Sequence, residues 1–214
     1  TKGLIGVSKD FYFTIVTQLF QTVETVFDVD TEFGTIKFNC TSPTSLNRAK
    51  NAEKREPDTI SWVKSFKPGD VMWDIGCNIG VFSIFAAKAN DVRVFAFDAM
   101  ANNIDGLVAN LKLNGIEKFV TPICLSLTSK TGFNRLKIPT VALESGGSGA
   151  ELLSMSDAKT KSTLEEISIN TLCFTLDDLV DHALLPVPNH IKMDIDGAED
   201  LALQGSIKTL SNNK

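Results

Sequence analysis

The stretch Val71-Met-Trp-Asp-Ile-Gly-Cys-Asn-Ile-Gly80 runs an apolar segment straight into an acid and a small-residue turn. Such a turn lets a ligand approach bare backbone and aims the N–H groups of a following helix at it. A dinucleotide fingerprint needs glycines at relative positions one, three and six. Here Gly76 and Gly80 stand at one and five, with Asn78 between them and Asp74 just upstream. Asp74 can order the loop amides or, through water, receive an ammonium group; it can also be a plain turn residue. Asp98 closes a second apolar run, Arg93-Val-Phe-Ala-Phe97. A carboxylate there can accept both hydroxyls of a ribose, and the plainer alternative is a helix N-cap. Asp194, Asp196 and Glu199 follow a later apolar run, His190-Ile-Lys-Met-Asp-Ile195. One of these acids could take a proton from a substrate hydroxyl, or two could hold a divalent cation. Capping by Asp196 and dipole stabilisation by Glu199 are the structural alternatives. The cluster has no clear third ligand from another strand, so a metal-free site is the expectation. Lys192 sits in an apolar strand and predicts a pairing with a nearby acid. His182 and His190 are isolated and read as structural.

Strands and helices must alternate to bring these residues together, which is the pattern of a parallel sheet with crossover helices. Val71 to Ile75, Arg93 to Phe97, Phe119 to Leu125 and His190 to Ile195 are the expected strands. Pro122 lacks a ladder donor and sends the third strand to a sheet edge, where the doubly wound order 3-2-1-4 also puts it. Val81 to Ala89 is the helix after the glycine loop. Ile104, Leu107, Val108 and Leu111 mark one face of the next helix, ended by Asn114-Gly115. Asp58 is expected to cap a helix over Thr59 to Phe66, before the break at Pro68-Gly69. Thr175-Leu-Asp-Asp178 reads as a capped helix start, and Asp196-Gly-Ala-Glu199 as the opening of a last helix. Upstream, Phe11, Ile15, Leu19, Val23 and Val26 recur at helical spacing. That face is expected to pack on the domain, with a lipid surface as the alternative. Val26-Phe-Asp-Val and Thr35-Ile-Lys-Phe flank Glu32-Phe-Gly34 as a hairpin. Glu144 to Ser162 is small and polar, a linker or a substrate-side loop. The expected division is residues 1–45, an N-terminal helix and hairpin extension, and residues 46–214, the α/β domain.

Composition bounds the function. With 214 residues, 43% hydrophobic and 22% charged, the chain has enough material for a full core. A net charge of −5 argues against nucleic acid as a partner. The four cysteines, Cys40, Cys77, Cys124 and Cys173, form no CxxC pair and read as reduced thiols of a cytoplasmic protein. Phe11 to Phe27 is interrupted by Gln18, Gln21 and Glu24, too polar for stable membrane insertion. No signal peptide is visible in a sequence that begins at Thr1. Homo-oligomerisation stays open.

The glycine spacing, with an acid upstream, is that of S-adenosylmethionine-dependent methyltransferases. Glu56-Pro-Asp-Thr59 with Trp62, Asp74-Ile-Gly-Cys-Asn-Ile-Gly80, Phe97-Asp98, Thr175-Leu-Asp-Asp178 and Lys192-Met-Asp-Ile-Asp-Gly-Ala-Glu199 together resemble the FkbM-type methyltransferases, in matching order over roughly residues 25–210. The resemblance implies a Rossmann-like methyltransferase fold, mainly parallel sheet with flanking helices. It also implies transfer of methyl from S-adenosyl-L-methionine to oxygen, typically a hydroxyl of a sugar, glycan or natural product. It carries cofactor contacts onto Asp74, Gly76, Asn78, Gly80 and Asp98, and suggests that Glu56 and Thr59 line the methionine end. Cys77 inside the loop, Ala99 after the second strand and Ser126 after the third complete the expected cofactor set. Cys77 is not needed as a nucleophile when the acceptor is oxygen. The catalytic set is Asp194, Asp196 and Glu199. Where the family usually has Glu-Pro after the second strand this chain has Asp98-Ala99, and where it has Glu this chain has Asp196, an acid for an acid each time. The given sequence stops at Lys214, and the expectation is a domain lacking its last strands. Two rivals remain: a nicotinamide-dependent oxidoreductase, disfavoured because Tyr12 is the only tyrosine and no Tyr-x-x-x-Lys pair exists, and a non-catalytic cofactor-binding remnant.

Overall fold

The computed structural model describes residues 8–22, 25–139, 151–152, 166–182 and 185–212. The first apolar periodicity does form a helix, α1 (Lys9–Thr22). It is not packed as expected: Phe11, Phe13 and Leu19 are each more than half exposed. Val26 leaves that stripe altogether and opens β1 (Val26–Thr31), which pairs antiparallel with β2 (Gly34–Asn39). The strand wins because Phe27 to Asp30 alternates apolar and acidic residues, a period of two. Val23 lies outside the described residues. Two helices that the sequence did not announce follow, α2 (Pro43–Lys50) and α3 (Ala52–Arg55). The first is fixed by a capping box between Ser42 and Ser45, with Pro43 in the first turn. Helix α4 (Pro57–Lys64) starts with Glu56 in the cap position. Asp58 therefore lies in the first turn rather than capping, because Pro57 occupies the first helical slot.

The central sheet is built from β3 (Val71–Ile75), β4 (Arg93–Asp98), β5 (Val120–Cys124) and a last strand introduced below. Between them run α5 (Val81–Asn90) and α6 (Ala101–Asn114). Gly115 ends α6 in the left-handed conformation, φ 63°. Val108, expected on the buried face of α6, is 49% exposed, whereas Leu107 and Leu111 are buried. After β5 the chain forms a second sheet for which the sequence reading had no expectation. It contains β6 (Ser126–Leu127), β7 (Gly132–Pro139), β8 (Glu151–Leu152) and β9 (Glu166–Phe174). Its order is β6-β9-β7-β8, with β7 and β9 antiparallel over their length. Of the segment expected as linker or loop, residues 144–162, all but 151–152 lie outside the described residues.

Helix α7 (Leu176–Asp181) is capped as predicted, Thr175 accepting from the Asp178 amide at 2.9 Å. Strand β10 (His190–Met193) then joins the central sheet, which reads β10-β3-β4-β5, all parallel. In chain order this is the expected 3-2-1-4 arrangement, with Pro122 on the edge strand. Strand β10 stops at Met193, short of Ile195. Helix α8 (Glu199–Gln204) begins with Ala198 in the cap position, and α9 (Ile207–Asn212) follows. Asp196 does not cap; it sits in the preceding turn at φ 49°.

Both faces of the parallel sheet are covered, as such sheets require. Side chains alternate across it. Met72, Val94 and Ala96 face one core with Phe38, Val63, Phe85 and Leu107. Trp73, Ile75, Phe95 and Phe97 face the other with Leu176 and Leu179. Hairpin residues Ile36 and Phe38 are fully buried in the first of these cores.

Candidate active site

The carboxyl ends of β3, β4 and β10 open onto a cavity of about 340 Å³, where ligands of open α/β sheets bind. Gly76 to Ile79, Asp98 to Met100 and Asp194 to Asp196 form its floor and sides. Helices α2 and α3 contribute Arg48 and Arg55, and Leu136 of the second sheet closes part of the far side.

The glycine loop is held by its own hydrogen bonds. Gly76 and Cys77 both donate their amides to the Phe97 carbonyl at 2.9 Å. The Asn78 amide donates to Asp98 Oδ2 at 2.9 Å, and the Ile79 amide to the Asn78 side chain at 2.9 Å. The Gly80 amide donates to the Cys77 carbonyl at 2.8 Å. The glycines answer to packing of the chain against itself. At Gly76, φ 78°, a Cβ would stand 1.9 Å from the Asp194 carbonyl oxygen. At Gly80, φ 84°, it would stand 2.2 Å from Leu107 Cδ1. Backbone excludes a side chain at Gly76, whereas at Gly80 Leu107 would have to move and the positive φ adds strain.

Asp98 lines the cavity and also braces the loop. Its Oδ1 accepts the Met100 amide at 2.9 Å and Asn103 Nδ2 at 3.0 Å, while Oδ2 takes the Asn78 amide. Burial pushes its pKa above the ordinary carboxylate value; these hydrogen bonds oppose that shift, and Asp74 adds to it. Asp98 is not the helix N-cap, a position Met100 holds, but a brace between the loop and the start of α6. Asp74 is fully buried beneath the loop, outside the cavity lining. It accepts from Ser83 Oγ at 2.6 Å and faces Lys192 Nζ at 3.7 Å. The predicted pairing of Lys192 is thus present twice, since Asp194 Oδ2 lies 3.5 Å away on its other side. Its ammonium also sits 4.9 Å from the centroid of the Phe82 ring. Cys77 is 5% exposed, and burial raises its pKa well above the usual thiol value, with Asp74 and Asp98 adding to the shift. It is a neutral thiol, unsuited to nucleophilic attack.

The remaining expected residues divide. Glu56, Ala99 and Ser126 line the cavity. Thr59 and Gly80 do not; Thr59 Oγ1 donates to Glu56 Oε2 at 3.0 Å. Asp194 and Asp196 line the cavity together, with exposed side chains. Glu199 does not join them. Its two carboxylate oxygens accept the Ile195 and Gly197 amides at 3.0 and 2.9 Å, closing the turn after β10. His190 is far from this chemistry, bonded to Asp70 at 2.8 Å and stacked on Phe66 at a centroid distance of 3.6 Å. The sequence reading missed Arg48 and Arg55, whose place at the cavity is set by tertiary packing and leaves no local pattern, and Asn103, whose bond to Asp98 five residues upstream is local. Among the described residues, no three His, Cys, Asp or Glu side chains group to hold a metal ion. Among them, no helix is long and apolar enough to cross a membrane.

A parallel sheet ordered 3-2-1-4, a glycine loop after its first strand and an acid ending its second define a Rossmann-like methyltransferase fold. Residues 74–214 match the methyltransferase FkbM domain, and the chain belongs to that family, as its motifs predicted. It is 29% identical over 144 residues to the hexuronic acid methyltransferase AglP of Haloferax volcanii, covering 67% of this chain and 52% of that protein. It is 43% identical over 54 residues to a ribosomal protein L11 methyltransferase of Oceanobacillus iheyensis, covering 25% of this chain and 17% of that one. The chain thus spans about half or less of the length of these curated relatives. Among solved structures, Pyrococcus horikoshii TYW2 in complex with MeSAdo is similar at a TM-score of 0.36 and 15% identity, over 56% of each chain. That likeness is too distant to bear on function.

Proposed function

We propose that this protein transfers a methyl group from S-adenosylmethionine to an oxygen of a sugar, glycan or related small molecule. One observation carries the reading. A single cavity collects the strand-end acid Asp98, the loop from Gly76 to Ile79, and the exposed pair Asp194 and Asp196. Its volume, about 340 Å³, lies within the range of small-molecule sites. Asp98 accepts the ribose hydroxyls through lone pairs left over from its three internal bonds. Glu56, held by Thr59, borders the amino-acid end. When bound, the cofactor supplies an electrophilic methyl on a sulfonium. Asp194 or Asp196 would take the proton from the acceptor hydroxyl as its oxygen bonds to the methyl carbon, the methyl–sulfur bond breaks and S-adenosylhomocysteine leaves. Positioning the acceptor oxygen supplies most of the rate.

The loop's own bonding favours this cofactor over a dinucleotide. All five amides from Gly76 to Gly80 are engaged within the chain, whereas a pyrophosphate is held by free amides at such a turn. The matched relative AglP is named for hexuronic acid, which makes a sugar acid the first acceptor to try.

The test replaces Asp194 and Asp196 separately by Asn. For the residue that serves as base, turnover should fall by about a hundred- to ten-thousandfold, with affinity for S-adenosylhomocysteine retained. Wild-type turnover in both variants would remove both acids from the chemistry.

A further inference from the structure

Among the described residues of α1, none lines the cavity or joins either core. From Phe11 to Leu19 every side chain is exposed except that of Val16, which is partly buried. At 3.6 residues per turn, Phe11, Ile15, Leu19, Tyr12, Val16 and Phe13 follow one another round an arc of about 200°. That is roughly twice the apolar stripe of a helix seated on a core. Thr14, Thr17 and Gln18 hold the other side, and no charged residue follows Asp10 in the helix. Even this polar side is muted. The Thr14 hydroxyl donates to the Asp10 carbonyl at 2.8 Å and the Thr17 hydroxyl to the Phe13 carbonyl at 2.7 Å. The two charges at the start, Lys9 and Asp10, cancel.

Size and charge narrow what can cover such a face. A helix of 14 residues is about 21 Å long and about 10 Å across, a footprint of about 200 Å². That is far below the roughly 800 Å² per partner of a standard protein interface, so α1 alone does not sustain a dimer. It is also too short to cross a hydrocarbon layer of about 30 Å. A bilayer surface sets no such minimum. A helix with a broad apolar side can lie flat there, its aromatic rings at the depth of the headgroups. We propose that α1 is a lipid-surface anchor that selects neutral, strongly curved bilayers. Lacking a cationic side, it gains nothing from anionic headgroups, and its hold comes from apolar side chains entering gaps in lipid packing. Strand β1 begins four residues after α1 ends, a reach of about 14 Å at most. The anchor therefore keeps the hairpin and its domain beside the membrane. This role goes beyond methyl transfer and does not depend on it.

The test floats the full chain on a density gradient with small sonicated phosphatidylcholine vesicles, large extruded ones, and large vesicles containing phosphatidylserine, at low and high salt. The protein should float several-fold better with the small neutral vesicles than with the large, and neither phosphatidylserine nor salt should change its binding. Phe11→Gln and Ile15→Gln keep a good helix former and should each weaken flotation about tenfold. Lys9→Glu should leave it unchanged. All three side chains are exposed, so each variant should keep the melting temperature of the wild type. Full flotation of both Gln variants would overturn the proposal. Binding that requires phosphatidylserine and vanishes in high salt would overturn it too, marking an electrostatic contact elsewhere. Absence of flotation would do the same, and a dimer dissolved by Phe11→Gln would then give the face to a second copy.

Discussion

Asp98 has a structural duty and, under the proposed function, a binding one. Its three hydrogen bonds join the glycine loop to the start of α6. Asp98→Ala should therefore cost about 1–3 kcal/mol of stability in a denaturant melt, as buried amides lose their acceptor. It should also weaken S-adenosylhomocysteine in a titration; a variant that is destabilised but binds normally would leave Asp98 a brace only. Its raised pKa, caused first by burial, gives the two properties opposite pH trends. A carboxylate whose folded pKa lies above its unfolded value stabilises most below the unfolded value, and that contribution is lost as pH rises through the folded one. Ribose acceptance needs the ionised form, so affinity should rise with pH across the same window, above the usual value near 3.9. Affinity that is flat across that window would contradict the role. The loop and its strand-end acids Asp74 and Asp98 were legible because such an acid and a turn are local patterns; that Asp74 and Gly80 stay outside the cavity lining was not. The reason for the glycines was not, because Gly76 is dictated by the Asp194 carbonyl and Gly80 by Leu107, contacts made across the fold. Arg48 was hidden for the same reason.

Among the elements, the N-terminal hairpin is tied to the site through α6. Asn110 is fully buried. Its Oδ1 accepts the Asn39 amide of β2 at 2.7 Å, and its Nδ2 donates to the Ile79 carbonyl of the loop at 2.8 Å. Asn110→Ala strands two groups and should cost about 2–4 kcal/mol, with weaker S-adenosylhomocysteine binding as the loop loosens. A loss of stability with wild-type binding would mean that the hairpin does not support the site. The alternation of strands and helices from β3 to α6 was readable because each segment carries one clean period. Strands β7 and β9 were overlooked because their alternation is short, Leu136-Lys-Ile138 and Ile167-Ser-Ile169, and is broken by the polar pairs Asn134-Arg135 and Asn170-Thr171. With polar residues between, on a sheet only partly buried, they resemble loop as much as strand. The face of α1 misled in the other direction. Periodicity reports that a helix is amphipathic, not what its apolar side meets, and here that side is exposed.

At the scale of the molecule, two cores clamp a four-stranded parallel sheet whose carboxyl ends share one cavity. The proposed function places the cofactor beside Asp98 and the acceptor beside Asp194 and Asp196, all of which line that cavity. The most direct measurement incubates the protein with methyl-labelled S-adenosylmethionine and a panel of hydroxylated sugars and sugar acids. The products are then treated with alkali, which removes a methyl ester and spares a methyl ether. Alkali-stable label on a sugar, reduced in Asp194→Asn or Asp196→Asn, is the result expected. Label that alkali removes, or label on nitrogen, would contradict transfer to a hydroxyl. No label on any acceptor, from a protein that binds the cofactor, would contradict the catalytic assignment itself.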